Sequence, residues 1–360
     1  MRIEHSPTLL LARANHLPTS MTIHRINKPY LLLIGDTEDP RNAKTAFGLR
    51  DWTPAACLGQ LRFNRNAVDL GLPEMSPQEA ATAGAKTLVI GIAPVGGRLP
   101  DSWHGTLLDA LEAGLDLAAG LHQRLGGIPE ISACATRFGR QIHDVRHSDK
   151  SFPVGSGERR SGKRLLTVGT DCALGKKYTA LAIAKAMTAR GHRCDFRATG
   201  QTGILISGEG VAVDAVVADF IAGAAEALSP ANAADHWDII EGQGSLFHPA
   251  YAGVSLGLLH GSQPDALVLC HDPTRKTLSD FPHVPLVALE HAIAAYLSAA
   301  RLTNPEVRFV GVSLDTSTLS EPEAMAALRS TAARLGLPCI DPIRTGVAPI
   351  VTALEAIGAR

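Results

Sequence analysis

The sequence carries almost no net charge, because 34 lysines and arginines oppose 35 aspartates and glutamates. This balance excludes the broad basic surface of proteins that coat DNA or RNA, so no nucleic-acid partner is expected. Aromatic residues are also scarce, at 4% of the 360 residues, whereas 45% of the residues are hydrophobic. A core built mainly from alanine, leucine and glycine favours helices packed closely on parallel strands, which indicates an α/β fold.

Paired cysteines and long apolar runs are absent as well. None of the six cysteines lies in a C-x-x-C pair, which argues against zinc-knuckle and thiol-redox motifs and predicts reduced thiols in a cytoplasmic protein. The segment TLLLARA near the N-terminus is too short for a membrane span or a signal core, so no membrane partner is expected. His143 and His147 have metal-ligand spacing but no evident third ligand, and no metal site is predicted.

The length of the chain exceeds what one hydrophobic core usually supports, which predicts two domains. Between His147 and Lys163 the sequence is polar and rich in glycine and serine, with no apolar period, as expected of a linker. The predicted parts are an N-terminal extension at 1–28, a first domain at 29–147, a linker at 148–163 and a second domain at 164–360.

In the first domain, strand patterns alternate with helix patterns. Tyr30 begins the strand pattern YLLLIGD, and a second strand is predicted from Thr87 to Ile92. Leucines and alanines at helical spacing then predict a helix across WHGTLLDALEAGLDLAAGLHQRL. The alternation indicates a Rossmann-like domain, but no G-x-G-x-x-G motif follows a strand, so NAD binding is not predicted. Lys44 and Arg50 are candidates for closing over a substrate or for a subunit contact.

From Arg164 onward the alternation of strands and helices resumes and predicts a doubly wound, mostly parallel sheet. Its first strand runs into GTDCALGKK, in which glycines precede a lysine at the start of a helix. Backbone N–H groups of such a loop, the helix dipole and the lysine together hold phosphate groups, as in P-loop NTPases. The residues predicted to bind the phosphates of a cofactor are Gly169, Thr170, Asp171, Cys172, Ala173, Gly175, Lys176, Lys177 and Tyr178.

The loop lacks the Ser or Thr hydroxyl that normally follows the lysine and ligates magnesium, because Lys177 occupies that position. An ammonium group repels a cation, so the magnesium site is compromised unless Thr179 or Asp171 replaces the hydroxyl. Two adjacent lysines would instead neutralise phosphate oxygens directly. The loop is therefore expected to hold a pyrophosphate or ribose phosphate such as those of coenzyme A. Asp272 and Arg275 follow a later strand and are candidates for the base or ribose end of the ligand, or for an exposed loop.

Candidate catalytic and substrate-binding residues follow two other strands. Glu241 ends the strand of DIIEGQGSL and is a candidate general base or amine-orienting group, or else an anchor for loop amides. His248 is a second catalytic candidate, although a lone histidine more often packs or forms a structural hydrogen bond. Arg197 is predicted to grip a substrate carboxylate. The other predicted substrate-binding residues, in the loop after Arg197 and in the GQGS turn, are Thr199, Gln201, Thr202, Gln243 and Ser245.

The loop G-T-D-x-x-x-G-K and the segment E-G-x-G resemble dethiobiotin synthetase and related P-loop ligases. Over nearly the whole chain from Tyr30, however, the sequence resembles a bacterial family long classed as a domain of unknown function, with members linked to D-glutamate N-acetyltransferase activity. This resemblance rests on long segments, among them GDTEDPRNAKTAFGLRDW, DFRATGQTGILISGEGVAVDAVVADFIAGAAE and HWDIIEGQGSLFHPAYAGVSLGLLHGSQPDALVLCHDPTR.

The family resemblance implies a Rossmann-like domain followed by a P-loop domain, with acetyl-CoA as donor and the amino group of D-glutamate or a similar D-amino acid as acceptor. On this hypothesis the P-loop holds the phosphates of coenzyme A, Arg197 binds the carboxylate and Glu241 removes the amine proton. Glycine amides of GQGS or GQTG would stabilise the oxyanion. Cys172, at the start of a helix, is an alternative acyl-carrying nucleophile.

Two other functions stay open from the sequence. One is an ATP- and magnesium-dependent ligase or carboxylating enzyme of the dethiobiotin synthetase type, and the other is a nucleotide or coenzyme A sensor without turnover. In each case the partner is a small molecule. A homo-oligomer is expected, because close-packed α/β enzymes are often symmetric oligomers.

Overall fold

A computed structural model describes residues 26–92, 97–147, 151–279 and 281–358 of the chain. Most of the predicted N-terminal extension and the first three residues of the predicted linker lie outside the described residues. The described chain contains two main parallel sheets, one formed between Tyr30 and Asp144 and the other between Lys163 and Ile340. Both sheets carry helices, which confirms the predicted α/β class.

The first sheet has five parallel strands in the order β2-β1-β3-β4-β5. Every residue of the first strand in the chain is buried, as its uninterrupted apolar sequence predicts. The strands are β1 (Tyr30–Gly35), β2 (Cys57–Arg62), β3 (Thr87–Ile90), β4 (Asp116–Ala119) and β5 (Ile142–Asp144). The helices between them are α1 (Lys44–Trp52), α2 (Pro77–Thr82), α3 (His104–Glu112) and α4 (Pro129–Phe138).

The second sheet has six parallel strands in the order β13-β12-β9-β6-β8-β7. Its strands, together with the short antiparallel pair β10 and β11, are β6 (Lys163–Gly169), β7 (Cys194–Arg197), β8 (Trp237–Ile240), β9 (Ala266–His271), β10 (Thr277–Leu278), β11 (Phe281–Pro285), β12 (Arg308–Leu314) and β13 (Cys339–Ile340). The helices are α5 (Lys176–Ala189), α6 (Gln201–Ser207), α7 (Ile221–Leu228), α8 (Ala252–Ser262), α9 (Leu289–Ala300), α10 (Glu321–Leu335) and α11 (Ala348–Gly358).

Separate apolar clusters cover the two faces of the second sheet, one beneath helices α8 and α9 and one beneath helices α5 and α11. This arrangement confirms the predicted doubly wound domain. Among the described residues, no helix combines the length and apolarity that crossing a bilayer requires.

Three predicted elements differ from the structure. The helix predicted from Trp103 ends at Glu112, because Gly114 adopts a left-handed conformation and the next residues pair with β3 as strand β4. The small apolar residues of β4 fit a buried strand as well as a helix, so their spacing was ambiguous. The predicted loop GQTGILIS forms helix α6. His143 belongs to strand β5 rather than to a helix, which removes the helical spacing from His147.

The two domains share one apolar core. Leu181 of helix α5 and Ile204, Leu205 and Ile206 of helix α6 belong to the same buried cluster as strand β1. Polar contacts reinforce this junction: the Tyr30 hydroxyl donates to the carbonyl of Leu205 at 3.1 Å. Helix α1 is thereby held rigidly at the carboxyl edge of the second sheet.

Replacing Tyr30 with phenylalanine removes the buried hydroxyl while keeping the ring. We expect the free energy of unfolding to fall by about 1 kcal/mol, since one buried carbonyl loses its partner. Unfolding followed by circular dichroism and by tryptophan fluorescence should remain a single coincident transition, because the core is shared. The exposed Tyr251 gives a matched control, and Y251F should change stability by less than about 0.5 kcal/mol. Two separate transitions in the wild-type protein would contradict the shared core.

Candidate functional site

A cavity of about 560 Å³ opens at the carboxyl ends of strands β6, β8 and β12. Strand β6 has β9 on one side and β8 on the other, so connections leave it in opposite directions and a crevice forms there. The walls are the loop between β6 and α5, the turn after Glu241, the ends of β12 and β13, and helix α1 of the first domain. Both domains therefore contribute to the cavity.

The predicted phosphate loop joins strand β6, which ends at Gly169, to helix α5, which begins at Lys176. Gly175 and Ala173 both have positive φ, which turns the backbone sharply into the helix. The Gly169 carbonyl accepts a hydrogen bond from the Tyr296 hydroxyl at 2.8 Å. Thr170 Oγ1 lies 2.9 Å from Nδ1 of His271, and burial lowers the pKa of His271 to about 4, which keeps that imidazole neutral.

Arg275 fixes the loop from outside the cavity. Its guanidinium donates to Asp171 Oδ2 at 2.7 Å and to the carbonyls of Cys172 and Ala173 at 2.8 and 3.3 Å. Asp171 is fully buried and also accepts a hydrogen bond from the Ser279 amide. Asp272 accepts hydrogen bonds from Thr274. Neither Asp272 nor Arg275 lines the cavity, so the structure supports a loop-holding role for Arg275 rather than contact with a nucleotide base.

The two adjacent lysines of the loop point in different directions. Lys176 is buried and its ammonium donates to the Asp171 carbonyl at 2.7 Å, while burial lowers its pKa. The Lys177 ammonium lies 5.4 Å from the ring centroid of Tyr178 and reaches towards Gly48 of helix α1. Both lysines nevertheless line the same cavity. The two ammonium groups are separate in this structure, and their joint binding of phosphate stays a prediction.

The two residues that could replace the missing magnesium-ligating hydroxyl are already engaged. Thr179 Oγ1 lies 2.8 Å from Ser313 Oγ, and both groups are buried. Asp171 Oδ2 accepts from Arg275 and Ser279, and its Oδ1 accepts from the Cys172 amide at 2.6 Å. Both residues are therefore held by protein partners and are poorly placed to replace the missing hydroxyl.

Glu241 follows strand β8 and lines the cavity with its carboxylate fixed in place. Oε2 accepts the backbone amides of Thr199 and Gly200 at 3.0 and 3.2 Å. Burial raises the pKa of Glu241, while the Lys177 charge and the two amides oppose that rise. Glu241 and Lys177 form no ion pair within 4.0 Å, so two opposite charges stand apart beside the same cavity.

Among the described residues that line the cavity, Gln243 is the one predicted substrate-binding residue. Gln243 lines the cavity and donates to Thr199 Oγ1 at 3.1 Å, and that hydroxyl donates in turn to the Glu241 carbonyl. Thr202 pairs with Thr45 of helix α1 at 3.1 Å. The remaining two are also structural: Gln201 packs against Gly120, and Ser245 Oγ accepts the Phe247 amide.

Arg197 does not reach the cavity. Its guanidinium donates to Asp238 at 2.7 Å and to Asp195 at 2.9 Å along the neighbouring strands β7 and β8. Asp238 is almost fully buried, and a buried carboxylate requires such a partner. The predicted grip of Arg197 on a substrate carboxylate therefore lacks support in the structure.

The amides expected to stabilise an oxyanion are partly occupied as well. The Gly200 amide donates to Glu241, and the Gly242 amide donates to Thr167 Oγ1 at 2.9 Å. A side chain at Gly242 would place Cβ 1.7 Å from the Thr167 carbonyl oxygen, so glycine is required there for close packing.

His248 is buried behind the loop and is stacked on Tyr251 with ring centroids 4.5 Å apart. Its Nδ1 accepts the Ala250 amide at 3.2 Å. One ring nitrogen, Cys172 Sγ and an Asp171 oxygen lie within 4.8 Å of one another. The sequence separation of Cys172 and His248 concealed this proximity. His248 itself does not line the cavity, whereas Cys172 does.

Several cavity residues were not predicted from the sequence. Phe47 comes from helix α1, and Asp315 and Asp341 follow strands β12 and β13. Their position directly after predicted strands was the available signal, because strand ends at one edge of a parallel sheet meet there. Asp341 accepts hydrogen bonds from Thr316 and supports the loop geometry.

Removing the Arg275 guanidinium should destabilise the loop. In R275M the buried Asp171 carboxylate loses its ionic partner, and we expect the free energy of unfolding to fall by about 3 kcal/mol. Urea denaturation measures this change. A matched arginine, Arg334, forms an exposed ion pair with Glu290, and R334M should cost less than about 1 kcal/mol. Equal effects of the two substitutions would show that Arg275 is not the anchor of the loop.

Comparison with known proteins identifies the family. Residues 64–148 match the domain of unknown function DUF1611_N, described as a Rossmann-like domain, and residues 153–351 match DUF1611_C, described as a P-loop domain. Relatives named D-glutamate N-acetyltransferase occur in Tritonibacter scottomollicae, 50% identical over 332 residues, and in a Pseudoalteromonas species, 48% identical over 330 residues. These alignments cover 92% of this chain and 100% and 99% of the two relatives.

A crystal structure of a DUF1611 family protein from Anabaena variabilis is similar over 92% of this chain and 100% of that one, at 35% identity and a TM-score of 0.82. The family predicted from the sequence is thus confirmed. With its Rossmann-like first domain and P-loop second domain, this chain belongs to the DUF1611 family.

Proposed function

We propose that this protein transfers an acetyl group from acetyl-CoA to the amino group of D-glutamate. The names of the two relatives support this reaction, since each is matched over nearly its entire length at 50% or 48% identity. The structural observation that carries the proposal is the pair of charges beside the cavity. Glu241 and Lys177 both line the cavity and form no ion pair within 4.0 Å, so each is available to the oppositely charged group of a bound amino acid, which is itself a zwitterion.

The donor is proposed to lie along the phosphate loop. The N-terminus of helix α5 presents backbone N–H groups and a positive dipole end, which favour the phosphates of coenzyme A. Lys176 adds a positive charge at the same turn. Since the nearby oxygen ligands are committed to protein partners, the arrangement suits a phosphate that stays intact better than a phosphoanhydride that is cleaved with magnesium.

The acceptor is proposed to place its amine at Glu241 and its carboxylate at Lys177, which takes the role that the sequence had suggested for Arg197. Two backbone amides fix Oε2 of Glu241 and leave Oε1 for the amine. The acceptor ammonium first loses one proton to water, because a protonated nitrogen has no lone pair. As the resulting amine nitrogen attacks the thioester carbonyl carbon, Glu241 accepts the second proton from the nitrogen and then passes it to the sulfur. The carbon–sulfur bond then breaks and coenzyme A leaves as a thiol after protonation, giving the N-acetyl amino acid.

Thiol release tests the reaction directly. Purified protein mixed with acetyl-CoA and D-glutamate should release coenzyme A, and mass spectrometry should detect N-acetylglutamate. The amide of E241Q keeps the shape of the side chain but cannot accept the proton, so we expect kcat to fall at least about 100-fold. The exposed Glu290 supplies a control, E290Q, with unchanged activity. Magnesium-dependent ATP turnover without acetyl transfer would overturn the proposal in favour of a ligase.

The pH dependence of activity should report on Glu241. Its pKa is raised above 4.5 by burial, so the carboxylate form that accepts a proton is lost as the pH falls through that raised value. We therefore expect kcat/KM for D-glutamate to decline on the acidic side, starting at a higher pH than an exposed glutamate would produce. The residual activity of E241Q should lack this acidic limb. An identical limb in E241Q would assign the titration to another group.

A further inference from the structure

Lys44 and Lys177 are two cationic side chains beside the same end of the cavity. Lys44 is the first residue of helix α1 in the Rossmann-like domain, and Lys177 is the second residue of helix α5 in the P-loop domain. They are close enough for the charge of Lys44 to lower the pKa of Lys177, although burial of Lys177 is the larger cause. Like charges brought together in a partly buried place are unfavourable unless an anion lies between them.

Lys44 is exposed and Lys177 is half-buried. Within the described ranges, neither Lys44 nor Lys177 forms a hydrogen bond or an ion pair. The charged groups that act on Lys177 besides Lys44 are Glu241 and Asp51. Glu241 is held by backbone amides, and Asp51 is held by Arg50 at 2.6 Å and by the Tyr178 hydroxyl at 3.4 Å.

The other basic side chains around the site are already engaged. Lys176 donates to the loop, Arg275 donates to Asp171, and Arg197 donates to Asp238 and Asp195. Lys44 and Lys177 are therefore the basic groups best placed to receive an anion from a ligand in this cavity.

We propose that Lys44 and Lys177 together bind the carboxylate of the acceptor side chain, and that this pair selects a dicarboxylic amino acid. The inference rests on the proposed function, because it assigns the acidic specificity of that same site. Lys177 lies between the two carboxylates of the bound acceptor and contacts both. Lys44 contacts the side-chain carboxylate alone, so the Rossmann-like domain supplies the discrimination between acidic and neutral acceptors.

The position of helix α1 supports this role. Thr45, next to Lys44, lies 3.1 Å from Thr202 of helix α6, and both hydroxyls are buried. Gly48, one turn later, packs so closely that an added Cβ would lie 2.9 Å from Thr202 and 3.3 Å from the Lys177 ammonium. The backbone at the start of helix α1 is thus held close to Lys177, and the exposed Lys44 side chain extends from it.

The comparison of D-glutamate with D-glutamine isolates the side-chain charge, since the two have nearly the same shape. We expect K44M to lower the ratio of kcat/KM for D-glutamate over D-glutamine at least tenfold, mainly through a higher KM for D-glutamate. K44R keeps the charge and should restore most of the ratio. Lys185 is an exposed lysine of helix α5 away from the cavity, and K185M should leave the ratio unchanged.

Calorimetric titration of D-glutamate into each variant, with coenzyme A present, gives a second measurement that does not need turnover. Weaker binding in K44M, with the far-ultraviolet circular dichroism of the wild type, supports the inference. If K44M keeps the wild-type preference for D-glutamate over D-glutamine in turnover, or binds D-glutamate as tightly as the wild type, the inference is overturned. Failure of the wild type to acetylate any amino acid would overturn the proposed function instead, and in that case the binding of D-glutamate by wild type and K44M still decides whether Lys44 holds the carboxylate.

Discussion

The ion pair between Asp171 and Arg275 is the interaction on which the site depends most. A carboxylate with no exposure to solvent lies inside the phosphate loop, and it needs a charged partner whether or not a ligand is bound. Because Arg275 also donates to two loop carbonyls, it fixes the backbone that faces the cavity. The loop is thereby ordered by contacts within the protein.

With the loop held by Arg275 and Asp171, the other charged side chains of the site take separate positions. Lys176 is drawn into the loop, while Lys177 turns towards the first domain and Glu241. The cavity then has the P-loop turn on one side and the side chains of Glu241 and Lys177 on the other. A fold shared with nucleotide-cleaving enzymes can in this way support group transfer between two bound organic molecules, because function resides in the site and not in the fold.

Local patterns in the sequence were sufficient for the fold and for two walls of the cavity. An apolar strand, glycines and a lysine before a helix predicted the phosphate loop, and Glu241 after a strand predicted a second wall. The role of Arg197 could not be predicted, since its buried partner Asp238 is 41 residues away in the chain. The direction of Lys177 was equally hidden, as it depends on where helix α1 packs.

The proximity of Cys172 and His248 could not be predicted either, because the order of the strands brings together two segments that are far apart in the sequence.

The wrong prediction at strand β4 has a different cause, which lies in its own residues. After Asp116 its residues are apolar, and they satisfy helical spacing and strand burial equally well. Pairing with β3 decides between the two states, and no window of sequence contains that partner.

The apolar core common to the two domains has a consequence for how ligands enter. In many two-domain enzymes the halves rotate about a hinge, closing over the substrate and opening to release the product. Here such a rotation would expose leucine and isoleucine side chains of helix α6 that are now buried against strand β1. A hinge opening of the two domains would therefore carry a free-energy cost in exposed apolar surface.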